Sequence, residues 1–403
     1  CLPMPADRQA AFAEAAAAFK PAGAEVRDTE RLVWLSRPGP LPESADWSHH
    51  GANAANTGAS QDHFLKAPLF RLWFDSSFRW IRTPGATAVR VVGGRVLIKA
   101  NDKLRAIDVY TGRHLWEANV TPSPGAGGGM VALEDAIYLA SGASCTVLDP
   151  ATGKQSGQLA LPEGVGPRWS SLCGAGDRLV AASNTTVFSI NRHSGELLWK
   201  QDCERRVGSI ALGGGKVFTA DFVLRRRGQP APDTSGMTAR AFDAATGTPL
   251  WEVPGHTEVR YGDSSDLVVT AGGVYQAADG SRVWNPGGPW PITEAMLLKG
   301  NSGGLTICNL LDGTESDEKL TWNKRGCTLL RASSNLLTTR YLGNASYVDR
   351  ATGEFTSIWN DRAACSNNLF PANGVLNIPN LSGGCTCNYM PVSQAFVPVS
   401  VLE

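Results

Sequence analysis

Nine cysteines are the side chains with the most evident chemistry in this chain of 403 residues. They stand at positions 1, 145, 173, 203, 308, 327, 365, 385 and 387. So high a count is typical of a protein that folds outside the reducing cytoplasm. Three chemistries are open to the last four: two disulfides, a tetrathiolate zinc site, or redox-active thiol exchange. The Cys385-x-Cys387 spacing departs from the usual Cys-x2-Cys zinc knuckle, so disulfides are favoured.

The densest polar cluster comes early in the sequence. It consists of His49, His50, Asn56, Asp62 and His63. Imidazole and carboxylate groups can bind a metal or transfer protons. Adjacent histidines in an extended segment point in opposite directions, however, so both cannot easily bind one ion. We therefore favour the alternative that this is an irregular segment whose side chains hydrogen-bond the backbone of the domain it packs against.

The remaining sequence contains no recognisable catalytic motif. Cys-x-x-Cys-His, Gly-x-Ser-x-Gly and His-Glu-x-x-His are all missing. Lys plus Arg equals Asp plus Glu, at 37 each, which gives no electrostatic reason to expect nucleic acid as a partner.

A repeated phrase shows how the chain positions these residues. It reads as an apolar pair, Asp, two residues, Thr-Gly, and then Leu-Trp after a short gap. Seven copies, some of them decayed, contain Asp108, Gly112 and Trp116; Asp149 and Gly153; Gly195 and Trp199; Asp243, Gly247 and Trp251; Gly280 and Trp284; Gly313 and Trp322; and Asp349, Gly353 and Trp359. Asp-x-x-Thr-Gly favours a turn with Gly at positive φ, so each copy predicts a β-hairpin. Spacings of 33 to 52 residues between these glycines indicate a propeller or a solenoid.

The number of turns predicts how the ring closes. A second phrase, a turn followed by a short apolar strand as in Gly93–Leu97, occurs eight times, whereas there are seven hairpins. The missing outer strand is Phe70–Trp73, which has no hairpin before it. We predict an all-β protein: an eight-bladed β-propeller over 66–403, closed by this N-terminal outer strand, with a short helix and extended arm over 1–65. An open β-solenoid and two smaller β domains are the alternatives.

The Asp-x-x-Thr-Gly-x-x-x-Trp repeat resembles the tryptophan-docking motif of the quinoprotein (PQQ-like) propeller superfamily, over roughly residues 66–401. That superfamily includes PQQ-dependent dehydrogenases and BamB-like outer-membrane assembly lipoproteins, which are scaffolds. Residues 47–50, 54–57, 368–374 and 385–387 are similar to exported PQQ-like repeat proteins of planctomycete-type bacteria. The resemblance implies a BamB-like architecture and leaves the activity open.

Propeller topology gives the cysteines expected positions. Connections that lead into blades share one face with connections between second and third strands. Cys327, Cys365, Cys385 and Cys387 should therefore gather on that face and staple the ring closure with two disulfides. Cys145 and Cys173 fall on adjacent blades, so a bond between them is also plausible. Cys1 is either the lipidated residue of a bacterial lipoprotein or a domain boundary.

These observations favour a binding or scaffold protein that is exported to the periplasm, the outer membrane or the extracellular space. It would present a loop-rich, disulfide-stapled face to a protein or polymer partner, with possible membrane attachment through Cys1. One alternative is a PQQ-dependent oxidoreductase with calcium at the ring centre. Another is the C-terminal module of a larger enzyme. The first strands offer mostly apolar or small residues, so no cofactor is predicted.

Overall fold

The structure is a computed structural model that describes residues 5–19, 25–29, 32–36, 39–75, 88–100, 102–122, 129–223, 230, 232–301, 304–320, 330–362, 369–379 and 393–401. The chain divides into two units, Cys1–Leu41 and Pro42–Glu403. The first contains the predicted helix, α1 (Ala6–Phe19), and an antiparallel hairpin of β1 (Glu25–Thr29) and β2 (Leu32–Ser36) that the sequence did not indicate. The extended arm at 42–65 falls in the second unit, together with all the blades.

The second unit contains eight four-stranded antiparallel sheets, or blades, with one strand borrowed from the start of the unit. That strand is β3 (Leu69–Asp75). Blade 1 contains β4 (Ala88–Val92), β5 (Arg95–Ala100), β6 (Lys103–Asp108) and β7 (His114–Asn119). Blade 2 contains β8 (Met130–Ala132), β9 (Ile137–Ser141), β10 (Ser144–Leu148) and β11 (Gln155–Ala160). Blade 3 contains β12 (Ser171–Ala175), β13 (Arg178–Ser183), β14 (Thr186–Asn191) and β15 (Leu197–Asp202). Blade 4 contains β16 (Val207–Gly213), β17 (Lys216–Asp221), β18 (Thr238–Asp243) and β19 (Pro249–Pro254).

The other blades follow the same order. Blade 5 contains β20 (Arg260–Gly262), β21 (Leu267–Thr270), β22 (Gly273–Gln276) and β23 (Arg282–Trp284). Blade 6 contains β24 (Ile292–Thr293), β25 (Met296–Asn301), β26 (Gly304–Asn309) and β27 (Glu315–Leu320). Blade 7 contains β28 (Arg331–Ala332), β29 (Leu336–Tyr341), β30 (Asn344–Asp349) and β31 (Phe355–Arg362). Blade 8 contains β32 (Phe370–Ala372), β33 (Val375–Ile378) and β34 (Ser393–Pro398), and a short 3₁₀ turn, Val399–Val401, follows.

The outer edge of blade 8 is β3, which pairs antiparallel with β34 from Leu69 opposite Pro398 to Asp75 opposite Ser393. The predicted eight-bladed propeller, closed by its N-terminal strand, is therefore confirmed. Arg71 on β3 also donates from Nη2 to both carboxylate oxygens of Asp361 on β31, at 2.9 and 2.7 Å. This ion pair joins the closing strand to blade 7.

Apolar side chains pack between blades rather than in one central core. In the described part of the chain they form eight clusters, one between each pair of neighbouring blades. Along β4, Val89 and Val91 face blade 8, whereas Ala88 and Val92 face blade 2. Because both sheet faces are buried, the inner strands are almost continuously apolar.

The repeat tryptophans dock onto the following blade. Trp116 of blade 1 donates its indole N–H to the Pro150 carbonyl at 3.0 Å and lies against Gly153 of blade 2. Trp73, Trp199, Trp251 and Trp284 donate in the same way to Val109, Ala244, Ala277 and Leu310. In blades 2 and 6, Leu159 and Leu320 contact the next turn glycine instead.

Of the repeat tryptophans that the structure describes, Trp359 does not follow this pattern. Trp359 of blade 7 is 65% exposed, because blade 8 lacks the Asp…Gly turn that would receive it. Trp322 lies outside the described residues, and Leu320 contacts Gly353 where the prediction placed Trp322.

The predicted bond between Cys145 and Cys173 is not formed, since both thiols are free and buried. Cys145 packs between blades 2 and 3, whereas Cys173 packs between blades 3 and 4, so the two side chains occupy different apolar layers. Burial raises the pKa of Cys145 to about 12 and raises that of Cys173 as well, so both thiols are unreactive. Cys1, Cys327, Cys365, Cys385 and Cys387 lie outside the described residues.

Candidate binding cup at the ring centre

Residues 45–62, here called the floor segment, run around the centre of the ring and contact every blade. Their hydrogen bonds reach, in blade order, Val91, Ala132, Gly174, Leu212, Tyr261, Ile292, Ala332 and Gly374. Most of these bonds join backbone to backbone, for example Leu212 N–H to the Ala54 carbonyl at 2.8 Å. The short innermost strands thus obtain partners on the edge that faces the centre.

The floor segment lies toward one end of the ring. Its partners stand near the ends of the first strands, as Gly174 does on Ser171–Ala175. These ends lead into tight turns, so we call this side the turn face. The opposite side, the loop face, carries the connections into each blade and those between second and third strands.

Of the polar cluster, His49, His50 and Asn56 contribute to the lining of one cavity, described below, whereas Asp62 and His63 do not. His49 is buried, accepts the Gly174 N–H on Nε2 at 3.0 Å and pairs through Nδ1 with Ser48 Oγ at 2.7 Å. Burial, and then the charge of Arg90, lower the pKa of His49 to about 3, so this imidazole stays neutral.

Three other members of the polar cluster each lie beside different partners. Asp62 accepts backbone N–H groups from Gly374, Leu65 and Ala45. Asn56 donates to the Val259 carbonyl at 2.7 Å, and His63 lies exposed beside Glu294. No group of three or more His, Cys, Asp or Glu in the described residues could hold a metal. The interpretation in which the segment's side chains bond the surrounding backbone fits this geometry.

A cavity of about 520 Å³, here called the cup, lies between the floor segment and the loop face. His50 and Asn53 contribute to its base, and Arg168, Trp169, Arg206, Phe222 and Glu258 to its wall. The wall residues precede first strands or follow second strands of blades 3 to 5, which places them on the loop face.

Three arginines occupy equivalent positions around the floor segment. Arg90, Arg260 and Arg331 lie on the first strands of blades 1, 5 and 7. Each directly precedes the residue whose backbone hydrogen-bonds the floor segment.

Arg90 and Arg331 lie deep in the protein. Arg90 donates to the Met130 carbonyl from Nε and Nη2, at 3.1 and 2.6 Å. Arg331 stacks over Phe370 with 4.2 Å to the ring centroid and over Trp47 with 5.7 Å. Burial lowers the pKa of each guanidinium to about 9, so both remain charged at neutral pH.

Arg260 is bonded to the floor segment and to the carboxylate of Glu258. It donates to the Asn56 carbonyl at 2.6 Å, to the Pro289 carbonyl at 2.8 Å and to Glu258. His50 stands near all three arginines. Although solvent reaches its side chain, the surrounding protein and then Arg90 lower its pKa to about 4.

From the sequence we expected mostly apolar or small residues on the first strands, and these arginines were not identified. Arg90 stands between Val89 and Val91 in an otherwise apolar strand, and Arg260 stands between Val259 and Tyr261. A lone cation inside a short buried strand was the available signal. Arg168 and Arg206 stand in connections whose positions follow from the blade topology alone.

One family model and several solved structures are similar to this chain. The family model described as outer membrane protein assembly factor BamB matches residues 75–168 and 147–378. No curated protein matches the chain. Among the described residues, no helix is long and apolar enough to cross a membrane.

Similar solved structures include BamB from Moraxella catarrhalis, at 14% identity and a TM-score of 0.39 over 82% of this chain and 99% of that one. Hsv2 from Kluyvelomyces marxianus is 9% identical, with a TM-score of 0.45 over 68% of this chain and 97% of that one. The computationally designed protein Ika8 is 15% identical, with a TM-score of 0.41 over 64% of this chain and 93% of that one.

Proposed function

The chain belongs to the family described as outer membrane protein assembly factor BamB, and from this premise we propose that it is an exported scaffold that binds a protein or polymer partner through its loop face. The family match spans most of the propeller, which supports a binding role.

The observation that carries the proposal is the difference between the two faces. Connections on the turn face are as short as 93–94, and none is longer than 149–154. On the loop face, the connections 222–237 and 379–392 are much longer, and the cup lies beneath this face. Rigid scaffolds commonly carry their binding residues on such extended connections.

The proposal also includes export from the cytoplasm and disulfide bonds that hold the loop face together. Disulfides among Cys327, Cys365, Cys385 and Cys387 would hold the long connections near the ring closure. Lipidation of Cys1 would attach the propeller to a membrane, and the resemblance to planctomycete-type exported proteins supports the same compartment. An intact mass lowered by about two protons per bond under non-reducing conditions would support the disulfides.

The alternative of a calcium-bound quinone cofactor fits the cup only in part. Arg168 and Arg206, which line the cup, are suitable for the carboxylates of such a cofactor. Calcium requires several oxygen ligands, and Glu258 is the only carboxylate among the described residues that line the cup. Glu258 is already bonded to Arg260. We therefore derive no reaction through this group.

Site-specific photo-crosslinking in the source organism tests the binding face. A photoreactive residue replaces Ser170 or Val223 on the loop face, with Arg113 or Lys154 on the turn face as matched positions. We expect one defined crosslinked species from the loop-face positions and none from the turn-face positions. Crosslinks confined to the turn face, or absent from both faces, would contradict the proposal.

Native mass spectrometry of the protein from its own source separates the two functions. A mass without a bound small molecule supports the scaffold. A bound molecule of quinone mass with calcium, released on unfolding, would overturn it.

A further inference from the structure

Positive charge exceeds negative charge around His50, a residue of the base of the cup, although the three arginines near it do not themselves line the cavity. Arg90, Arg260 and Arg331 surround His50, and their charges are close enough to act on its imidazole. Among the charged groups that act most strongly on His50, Glu258 is the one carboxylate, and it is bonded to Arg260. In the described structure the guanidinium charges at this point therefore outnumber the carboxylate charge.

Arg331 shows the imbalance most clearly. Its guanidinium stacks on Phe370 and Trp47, and its Nη1 is buried without a hydrogen-bond partner among the described residues. A buried charged donor without an acceptor is costly, and native proteins rarely leave one unless a ligand or water completes it.

The wall of the cup adds two further positive charges, and the cavity has the size of a small-molecule site. Arg168 and Arg206 line it, with the Arg206 guanidinium 4.1 Å from the Phe222 ring centroid. The aromatic faces of Trp169 and Phe222 supply apolar surface beside these cations. A volume of about 520 Å³ is in the range of small-molecule sites.

We propose that the cup binds an oxyanion, a carboxylate or phosphate group, between His50 at its base and the wall arginines Arg168 and Arg206. The charges of the three arginines near His50 add to the attraction. Guanidinium groups recognise these groups with charge-assisted hydrogen bonds. The neutral His50 imidazole, which faces the cup without a hydrogen-bond partner among the described residues, can donate one further bond. The oxyanion belongs either to a free small molecule or to an acidic side chain of a polypeptide.

Titration calorimetry on the full chain tests the site, with succinate and inorganic phosphate as probes. Arg331→Met removes a buried charge near His50 while keeping much of the stacking volume. Arg206→Gln removes a wall charge from an exposed side chain. We expect each variant to bind about ten- to a hundredfold more weakly than the wild type. Arg113→Gln, an exposed cation on the turn face, is the matched control and should bind as the wild type does.

Arg206→Gln keeps the test valid if Arg331→Met fails to fold. The proposal is overturned if the wild type binds neither probe at millimolar concentration and does not bind hexaglutamate either. It is also overturned if Arg113→Gln weakens binding as much as the cup variants do, because the attraction would then be general surface charge.

Peptides distinguish the two sources of the oxyanion. Binding of succinate or phosphate as free molecules indicates a small-molecule ligand. Binding of hexaglutamate alone, lost in Arg206→Gln, indicates an acidic segment of a polypeptide. Equal binding of hexaglutamine would show that charge is not recognised and would contradict the proposal.

Discussion

At the residue scale, the turn glycine of blade 2 meets two separate requirements. Gly153 adopts a φ of +70°, which side-chain-bearing residues rarely take, and a Cβ on it would lie 2.3 Å from the Trp116 ring. The first requirement belongs to the turn, and the second belongs to the tryptophan of the preceding blade. The pairing of Thr-Gly with Trp across roughly 40 residues thus has a direct physical cause.

Gly153→Ala should lower the free energy of unfolding by about 2–4 kcal/mol, since the strain of positive φ adds to overpacking against Trp116. Gly215→Ala is the matched control, because Gly215 has a φ of +71° and a Cβ on it would meet nothing within 4 Å. It should cost about 1 kcal/mol. Denaturant unfolding measures both, and equal losses would show that tryptophan docking adds nothing.

His49 should make the protein sensitive to mild acid. Its pKa of about 3 in the folded state lies below the usual value of 6.5, so the unfolded chain takes up a proton first as the pH falls. Stability is therefore full above pH 6.5 and declines toward pH 3, by about 1.4 kcal/mol per pH unit for this one group. His50, with a pKa of about 4, acts in the same direction.

Replacing His49 with Gln should flatten that pH dependence, because Gln can still accept the Gly174 N–H but does not titrate. Unfolding midpoints measured between pH 7 and 4.5 would show it. His193→Gln, on an exposed side chain, should leave the slope unchanged. A slope unaffected by His49→Gln would show that other groups control acid stability.

At the element scale, either of two residue types, Trp or Leu, on the outer strand of a blade packs against the turn glycine of the next blade. Trp116 fills the docking position in blade 1, whereas Leu159 and Leu320 fill it in blades 2 and 6. Trp116→Leu should therefore cost about 1–2 kcal/mol, and Trp116→Ala about 3–5 kcal/mol, because only Ala leaves a large cavity. Thermal and denaturant unfolding of the two variants would measure the difference. Equal costs would mean that the indole hydrogen bond to Pro150 dominates over packing.

The exchange of Trp for Leu at the docking position explains why the sequence pattern located the blades but did not identify every docking residue. Turn glycines are conformationally constrained, so they remain visible in every copy from Gly112 to Gly353. The docking position requires only apolar volume, so Leu320 satisfies it and Trp322 was assigned in its place. Trp359 was assigned for its spacing alone, although blade 8 offers no turn to receive it.

At the scale of the whole molecule, the closure of the ring could be predicted from the sequence, but the path of the floor segment could not. Closure followed from a count, because eight inner turns and seven hairpins leave one outer strand to be found elsewhere. The floor segment makes mainly backbone bonds to all eight blades and has no periodicity, so its path leaves no pattern in the sequence. Arg90, Arg260 and Arg331 share this property, since their common position is defined only relative to the floor segment.

Truncation tests whether the floor segment is part of the folding unit. A chain of residues 42–403 keeps the floor segment and β3, and we expect its melting temperature to stay within a few degrees of the full chain. A chain of residues 66–403, the propeller as the sequence alone delimited it, keeps β3 but loses hydrogen bonds to every blade. The inner edges of Val91, Leu212 and Tyr261 would then lose their backbone partners, so we expect a lower and broader melting transition. Identical transitions for the two truncated chains would show that the floor segment is an accessory to a ring that is stable without it.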